Sequence, residues 1–204
     1  MPDTPSMPPS KSIHLRPAHT AVSPFAYPLD EFYAQAGRAL PAIEAVPGDS
    51  IPEPYRMLLV HNNDMTPTLA KFHGHRLHLE VLRRQQRQDF YFREVVLLLD
   101  ETDHRVEFGA IKINLALFPA TARRLILEER LPLGEILGLQ QIPHTSRPKA
   151  FFRLKADTFI TDALTLSGSP QLFGRRNTLL DLENHPLAEI VEILPPRNSN
   201  LPPI

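Results

Sequence analysis

Residues 89–100 read DFYFREVVLLLD. Aromatic and β-branched residues dominate the run and polar residues bound it, which predicts a strand. A strand apolar on both faces is covered on both sides, or lies at the centre of its sheet. Two charges interrupt it. Alternation puts Arg93 on one face with Tyr91, Val95 and Leu97, and Glu94 on the other with Phe92 and Val96. An arginine among such neighbours is costly unless a carboxylate or an anionic ligand meets it. Three readings stand: a ligand clamp, a structural ion pair, or a stem that snorkels to the sheet edge.

Working outward, residues 76–84 place Leu77, Leu79 and Val81 in strict alternation, and residues 105–115 (RVEFGAIKINL) alternate again. Connections this short make the three an antiparallel meander. Strand character returns at 150–155, 171–182 and 187–194, the last two joined by a hairpin-sized connector at 183–186. Helical spacing appears at 29–40, 55–60 and 118–129, with a short apolar turn or helix at 131–138. The stretch 64–74 predicts a helix capped by Thr66, with Pro67 in its first turn and Gly74 as its stop. Residues 157–166 stay open between helix and loop. The expected class is α+β: an antiparallel sheet of about six strands with short helices on one side.

The chain has 204 residues, 42% hydrophobic and 22% charged, enough for one substantial domain. Its 22 prolines concentrate at the ends. They predict a disordered arm over 1–24, a single domain over 25–195 and a disordered tail over 196–204. The arm supplies no helix-turn-helix. A formal charge of −1 gives no global attraction for nucleic acid or an anionic membrane. The absence of cysteine excludes disulfides, thiolate nucleophiles and Cys-ligated zinc. With no secretory signal or apolar span, a cytoplasmic protein is expected, with no nucleic-acid or membrane partner.

Further charges lie inside strand patterns: Glu192 in IVEIL and Lys112 in IKINL. Glu192 and Arg93 form either a structural pair or the two poles of a polar pocket. Arg175 and Arg176 follow Gly174 and read as a solvated pair beside a bulge. His73, His75 and His78 are the only histidine cluster, but Gly74 marks a turn and no acidic ligand is near in sequence. They are read as a polar turn, and no metal is expected. Phosphate loops, dinucleotide fingerprints and Gly-x-Ser-x-Gly elbows are absent.

At these residues a resemblance enters. YFREVVLLLD, LPLGEIL, LFGRR and HPLAEIVEILPP, in that order, resemble chorismate pyruvate-lyase, and NDMTPTLAKFHG resembles the segment leading into that family's first sheet strand. The likeness runs over residues 55–195. It implies an antiparallel sheet that buries its ligand beneath helical flaps. It also implies a cofactor-independent carbon–oxygen lyase converting chorismate to 4-hydroxybenzoate and pyruvate, a step of ubiquinone biosynthesis.

By the same resemblance, Arg93 clamps the ring carboxylate, Glu192 meets the 4-hydroxyl, and these two are the catalytic residues. Met65 and Leu133 line the ligand. Three departures are visible, one of them a longer segment between Leu133 and Phe173. Ala110 stands where the family has a second arginine, leaving Lys112 on the same strand face as a candidate substitute. The spacing from Pro186 to Glu192 is one residue longer, which makes Glu189 an alternative. The rival expectations are a non-catalytic domain of the same fold binding a small aromatic carboxylate, as in sensing domains of transcription regulators, or an enzyme acting on another carboxylated ring.

Overall fold

The computed structural model describes residues 25–196, so the calls on the two arms lie outside the described residues, apart from Pro196. Strand β3 (Phe90–Leu99), one in from the sheet edge and covered on both faces, is buried along its whole length after Phe90. Its neighbours are β2 (Leu77–Arg87) on one side and β4 (Arg105–Asn114) on the other, the expected meander. β4 then pairs with β7 (Pro186–Leu194), followed outward by β6 (Gln171–Leu180), β5 (Thr145–Lys155) and the short β1 (Ile43–Ala45). Among the described residues the sheet has seven strands, antiparallel throughout, in the order β1-β5-β6-β7-β4-β3-β2.

Strand β5 starts at Thr145, earlier than its sequence suggests, because it carries Pro148 at a register irregularity. Proline gives the ladder no N–H, and it is tolerated here because β1 covers only Phe152 to Leu154 of the outer edge. β1 itself, three residues long and mostly exposed, carries no alternation to read.

Among the described residues, six α-helices dress the sheet. Four gather on the face of Tyr91, Val95 and Leu97: α2 (Tyr55–Leu59), α3 (Met65–His73), α4 (Ala120–Glu128) and α5 (Leu133–Leu139). The opposite face, with Phe92, Val96 and Phe108, is closed by α1 (Leu29–Gln35) and α6 (Thr158–Ala163). Each large apolar side chain so buried contributes roughly 1.5–3 kcal/mol, so both faces hold β3 in place. Asp157 caps α6, its Oδ1 accepting from the Ile160 N–H at 2.9 Å, which resolves the ambiguous stretch as a helix.

Helix α3 begins earlier than Thr66. Asp64 holds the cap position in extended conformation, and Thr66 and Pro67 fall inside the first turn, where N–H groups have no intrahelical partner anyway. At the far end Gly74 adopts φ 71°, and its N–H returns to the Ala70 carbonyl at 2.9 Å.

An irregularity between Val81 and Arg83 shifts the register of β2. Arg83 therefore falls opposite Glu94, and Arg84 opposite Arg93.

Candidate ligand-binding site

A cavity opens between the sheet and the starts of α3 and α5. Its floor comes from alternate residues of neighbouring strands: Arg93 and Val95 on β3, Glu107, Gly109 and Ile111 on β4, and Glu192 on β7. Its roof is Met65, the first residue of α3, and Leu133, the first of α5, both buried. Arg93, Glu192, Met65 and Leu133, separated widely in sequence, thus line one cavity.

Arg93 is 2% exposed. Its ladder partners are Arg84 and Ile111, neither of which offers a negative charge. Arg84 turns away to Glu129, which also accepts from the Tyr91 hydroxyl. Among the described residues no carboxylate stands within ion-pair distance of Arg93, and its Nε and Nη1 have no hydrogen-bond acceptor. Burial pushes the guanidinium down to about 10, partly offset by Tyr91 and Glu129, so it remains a cation at neutral pH. A buried cation with idle donors bordering a cavity is matched to an anion, and a carboxylate best fits its planar fork.

Glu192 is already paired, though not to Arg93. Arg175, fully buried and directly across the β6–β7 ladder, donates from Nε to the Glu192 carboxylate. The remaining donors of Arg175 reach the carbonyls of Leu59 at 3.3 Å, His61 at 3.2 Å and Asn63 at 3.1 Å. One guanidinium therefore neutralises Glu192 and ties the segment that leads into α3 onto the sheet. This corrects the reading of Arg175 as solvated, and it removes the direct Arg93–Glu192 pair: β4 stands between their strands.

Lys112 is not brought into the cavity. It lies opposite Phe92 on the other face of the sheet, 3.5 Å from Glu189 and over the Phe90 ring at 4.4 Å. Ala110 shares that face, opposite Glu94, so neither residue stands beside Arg93. Glu189 is engaged there by Lys112 and by Arg176 at 3.0 Å, away from Arg93. The histidines disperse: His75 meets Glu101 at 3.3 Å, His78 meets Asp100 at 3.0 Å, and burial drives His73 down to about 4. Among the described residues no cluster of three or more potential metal ligands forms.

Two residues of the site escaped the sequence reading. Glu107 is 5% exposed, its Oε2 has no partner, and burial followed by the charge of Glu192 pushes its carboxyl well up, with Arg175 pulling the other way. The alternation of RVEFGAI had placed Glu107 on the face of Gly109 and Ile111. Gly109 is the other. A Cβ there would stand 2.7 Å from the Val191 carbonyl oxygen and 3.2 Å from Glu107 Oε1, so only glycine fits the middle of the floor.

No protein-family profile and no curated protein matches the chain. Solved structures do. PhnF from Mycobacterium smegmatis is similar at TM-score 0.52 and 13% identity, over 67% of this chain and 65% of that one. The effector domain of PhnF alone is similar at TM-score 0.50 and 12% identity, covering 65% of this chain and 88% of the domain. A GntR-family transcriptional regulator from Bacillus cereus gives TM-score 0.44 at 8% identity, over 63% and 97%. At such identities the likeness shows the fold alone: α+β, antiparallel and chorismate lyase-like.

These findings correct the expectation of an enzyme. A lyase was expected from motif order and fold, yet the fold is shared with the effector domain of PhnF, and no protein-family profile or curated protein supports a lyase. Conversion of chorismate to 4-hydroxybenzoate and pyruvate, and with it a role for Arg93 and Glu192 in catalysis or in ubiquinone biosynthesis, is set aside. Among the described residues no helix is long and apolar enough to cross a membrane.

Proposed function

We propose that this chain is a non-catalytic binding domain for a compact carboxylated molecule, of which a carboxylated aromatic ring is the simplest case. The observation that carries the reading is Arg93, a fully enclosed guanidinium whose Nε and Nη1 lack acceptors and which borders a cavity. Charge-assisted hydrogen bonds of this kind are worth about 1.5–3 kcal/mol each. Met65 and Leu133 grip the apolar body of the ligand from above, and Glu192 serves through Arg175 to hold the entry to α3 rather than as a pole of its own. The domain acts in the cytoplasm. With a net charge of −1 it has no overall attraction for nucleic acid, so its proposed partner is the small molecule.

Calorimetric titration tests this. Benzoate and 4-hydroxybenzoate are expected to bind, and benzamide, which keeps the ring and loses the charge, to bind at least tenfold more weakly. The ligands should be recovered unaltered, and chorismate incubated with the protein should release no pyruvate. Equal affinity for benzamide and benzoate would overturn the reading.

A further inference from the structure

Resting on Arg93 as the carboxylate clamp, we propose that Glu107 selects the far end of the ligand, by a hydrogen bond to an uncharged acceptor.

The ladder sets the distance. Arg93 stands opposite Ile111 and Glu107 opposite Leu97, so Glu107 lies four residues along the same face from the level of Arg93. At about 3.3 Å per residue the two Cα levels are roughly 13 Å apart. Long side chains from both ends bring the functional groups within the span of a small ring system. Between them lies Gly109, whose missing side chain leaves the floor open. The Glu107 carboxyl leans back over it, with Oε1 3.2 Å from where a Gly109 Cβ would stand.

The charges nearby determine what Glu107 offers. Arg175 is occupied by Glu192 and by three carbonyl oxygens, so Glu107 has no cation of its own. Were it ionised, two buried carboxylates would share one guanidinium in an enclosed site. Burial and the Glu192 charge accordingly favour the neutral acid. A neutral carboxyl has one O–H to donate, and Oε2 has no protein partner. A ligand carbonyl or ether oxygen satisfies it. A second carboxylate on the ligand restores the repulsion, and an apolar group leaves a buried donor unpaired.

Three benzoates of similar shape separate these cases: 4-formylbenzoate (an acceptor), 4-vinylbenzoate (apolar) and terephthalate (a second anion). Each is titrated by calorimetry at neutral pH into the wild-type chain, Glu107→Gln and Glu107→Leu, with unfolding midpoints confirming that the variants fold. The wild type is expected to bind the formyl compound at least tenfold tighter than the other two. Its binding enthalpy should be the same in buffers of different ionisation heat, because no proton is exchanged. Glu107→Gln retains a donor and keeps the preference; Glu107→Leu loses it and binds the vinyl compound at least as well as the formyl one. A wild type that ranks formyl and vinyl equally, or a Leu variant that keeps the ranking, overturns the inference while leaving the Arg93 clamp standing. If none of the benzoates binds the wild type, the clamp reading fails and this inference fails with it.

Discussion

Arg175 and Glu192 face each other across β6 and β7, and this pair, buried at 0% and 3% exposure, satisfies the carboxylate that Arg93 would otherwise have met. The sheet thus holds two buried arginines in different states: one neutralised and anchored to three carbonyls, the other idle beside a cavity. Removing one member of a neutralised pair strands the other. Glu192→Ala is expected to cost about 3–5 kcal/mol of stability, measured as a lower urea midpoint. Arg175→Met should cost at least as much, because the Leu59, His61 and Asn63 carbonyls also lose their donor. A loss below about 1 kcal/mol for both variants, the range of an exposed surface pair, would contradict this.

Glu94 makes stability fall with pH. Its carboxyl is fully buried on the face closed by α1 and α6, 3.2 Å from Arg83 Nε, yet neither oxygen makes a hydrogen bond. Burial outweighs the arginines and raises it from 4.5 to about 7. The folded state therefore holds a proton that the unfolded chain releases. This contribution is fully present below pH 4.5 and is lost as pH rises through about 7. It amounts to roughly 3 kcal/mol at most. Urea unfolding of wild type and Glu94→Gln across this window should show the difference between them growing with pH in favour of the variant. A constant difference would refute the assignment.

The Asp64–His144 contact should weaken in the alkaline direction. His144 Nε2 lies 2.8 Å from Asp64 Oδ2 and Nδ1 lies 2.8 Å from the Ile142 carbonyl, an arrangement that suits an imidazolium donating from both nitrogens. The Asp64 hydrogen bond raises the imidazole above 6.5, against its partial burial. Its stabilisation is fully present below 6.5 and disappears as pH rises through the raised value. Wild type should lose about 1 kcal/mol relative to His144→Gln between roughly pH 6 and pH 9. Because Asp64 occupies the N-cap position of α3, one residue before Met65, and itself borders the cavity, the carboxylate affinity of the wild type should fall over the same interval.

Periodicity made the sheet legible: β2, β3, β4, β6 and β7 follow from alternation, and burial of β3 on both faces follows from its apolar run. Strand β1 is too short for a pattern, and Pro148 hid the first half of β5. Arg93 declared itself as a charge where none is comfortable. What no local pattern carries is pairing between distant strands. That β7 lies beside both β4 and β6 decides that Glu192 meets Arg175, and that Glu107 comes close enough to feel the charge of Glu192. Lys112 was misjudged for a simpler reason. Strand parity puts it with Phe92, not with Arg93, once the β3–β4 register is known.

The most direct test of an anion clamp at Arg93 compares wild type with Arg93→Met, a substitution that keeps the apolar stem and deletes the guanidinium. Affinity for 4-hydroxybenzoate by calorimetry and the urea unfolding midpoint are measured on the same preparations. The account predicts a loss of affinity of roughly ten- to a hundredfold, the value of a charge-assisted hydrogen bond, with the midpoint unchanged or raised, since an unpaired buried cation destabilises the apo fold. Undiminished affinity together with a collapsed midpoint would contradict it, and would make Arg93 a structural residue.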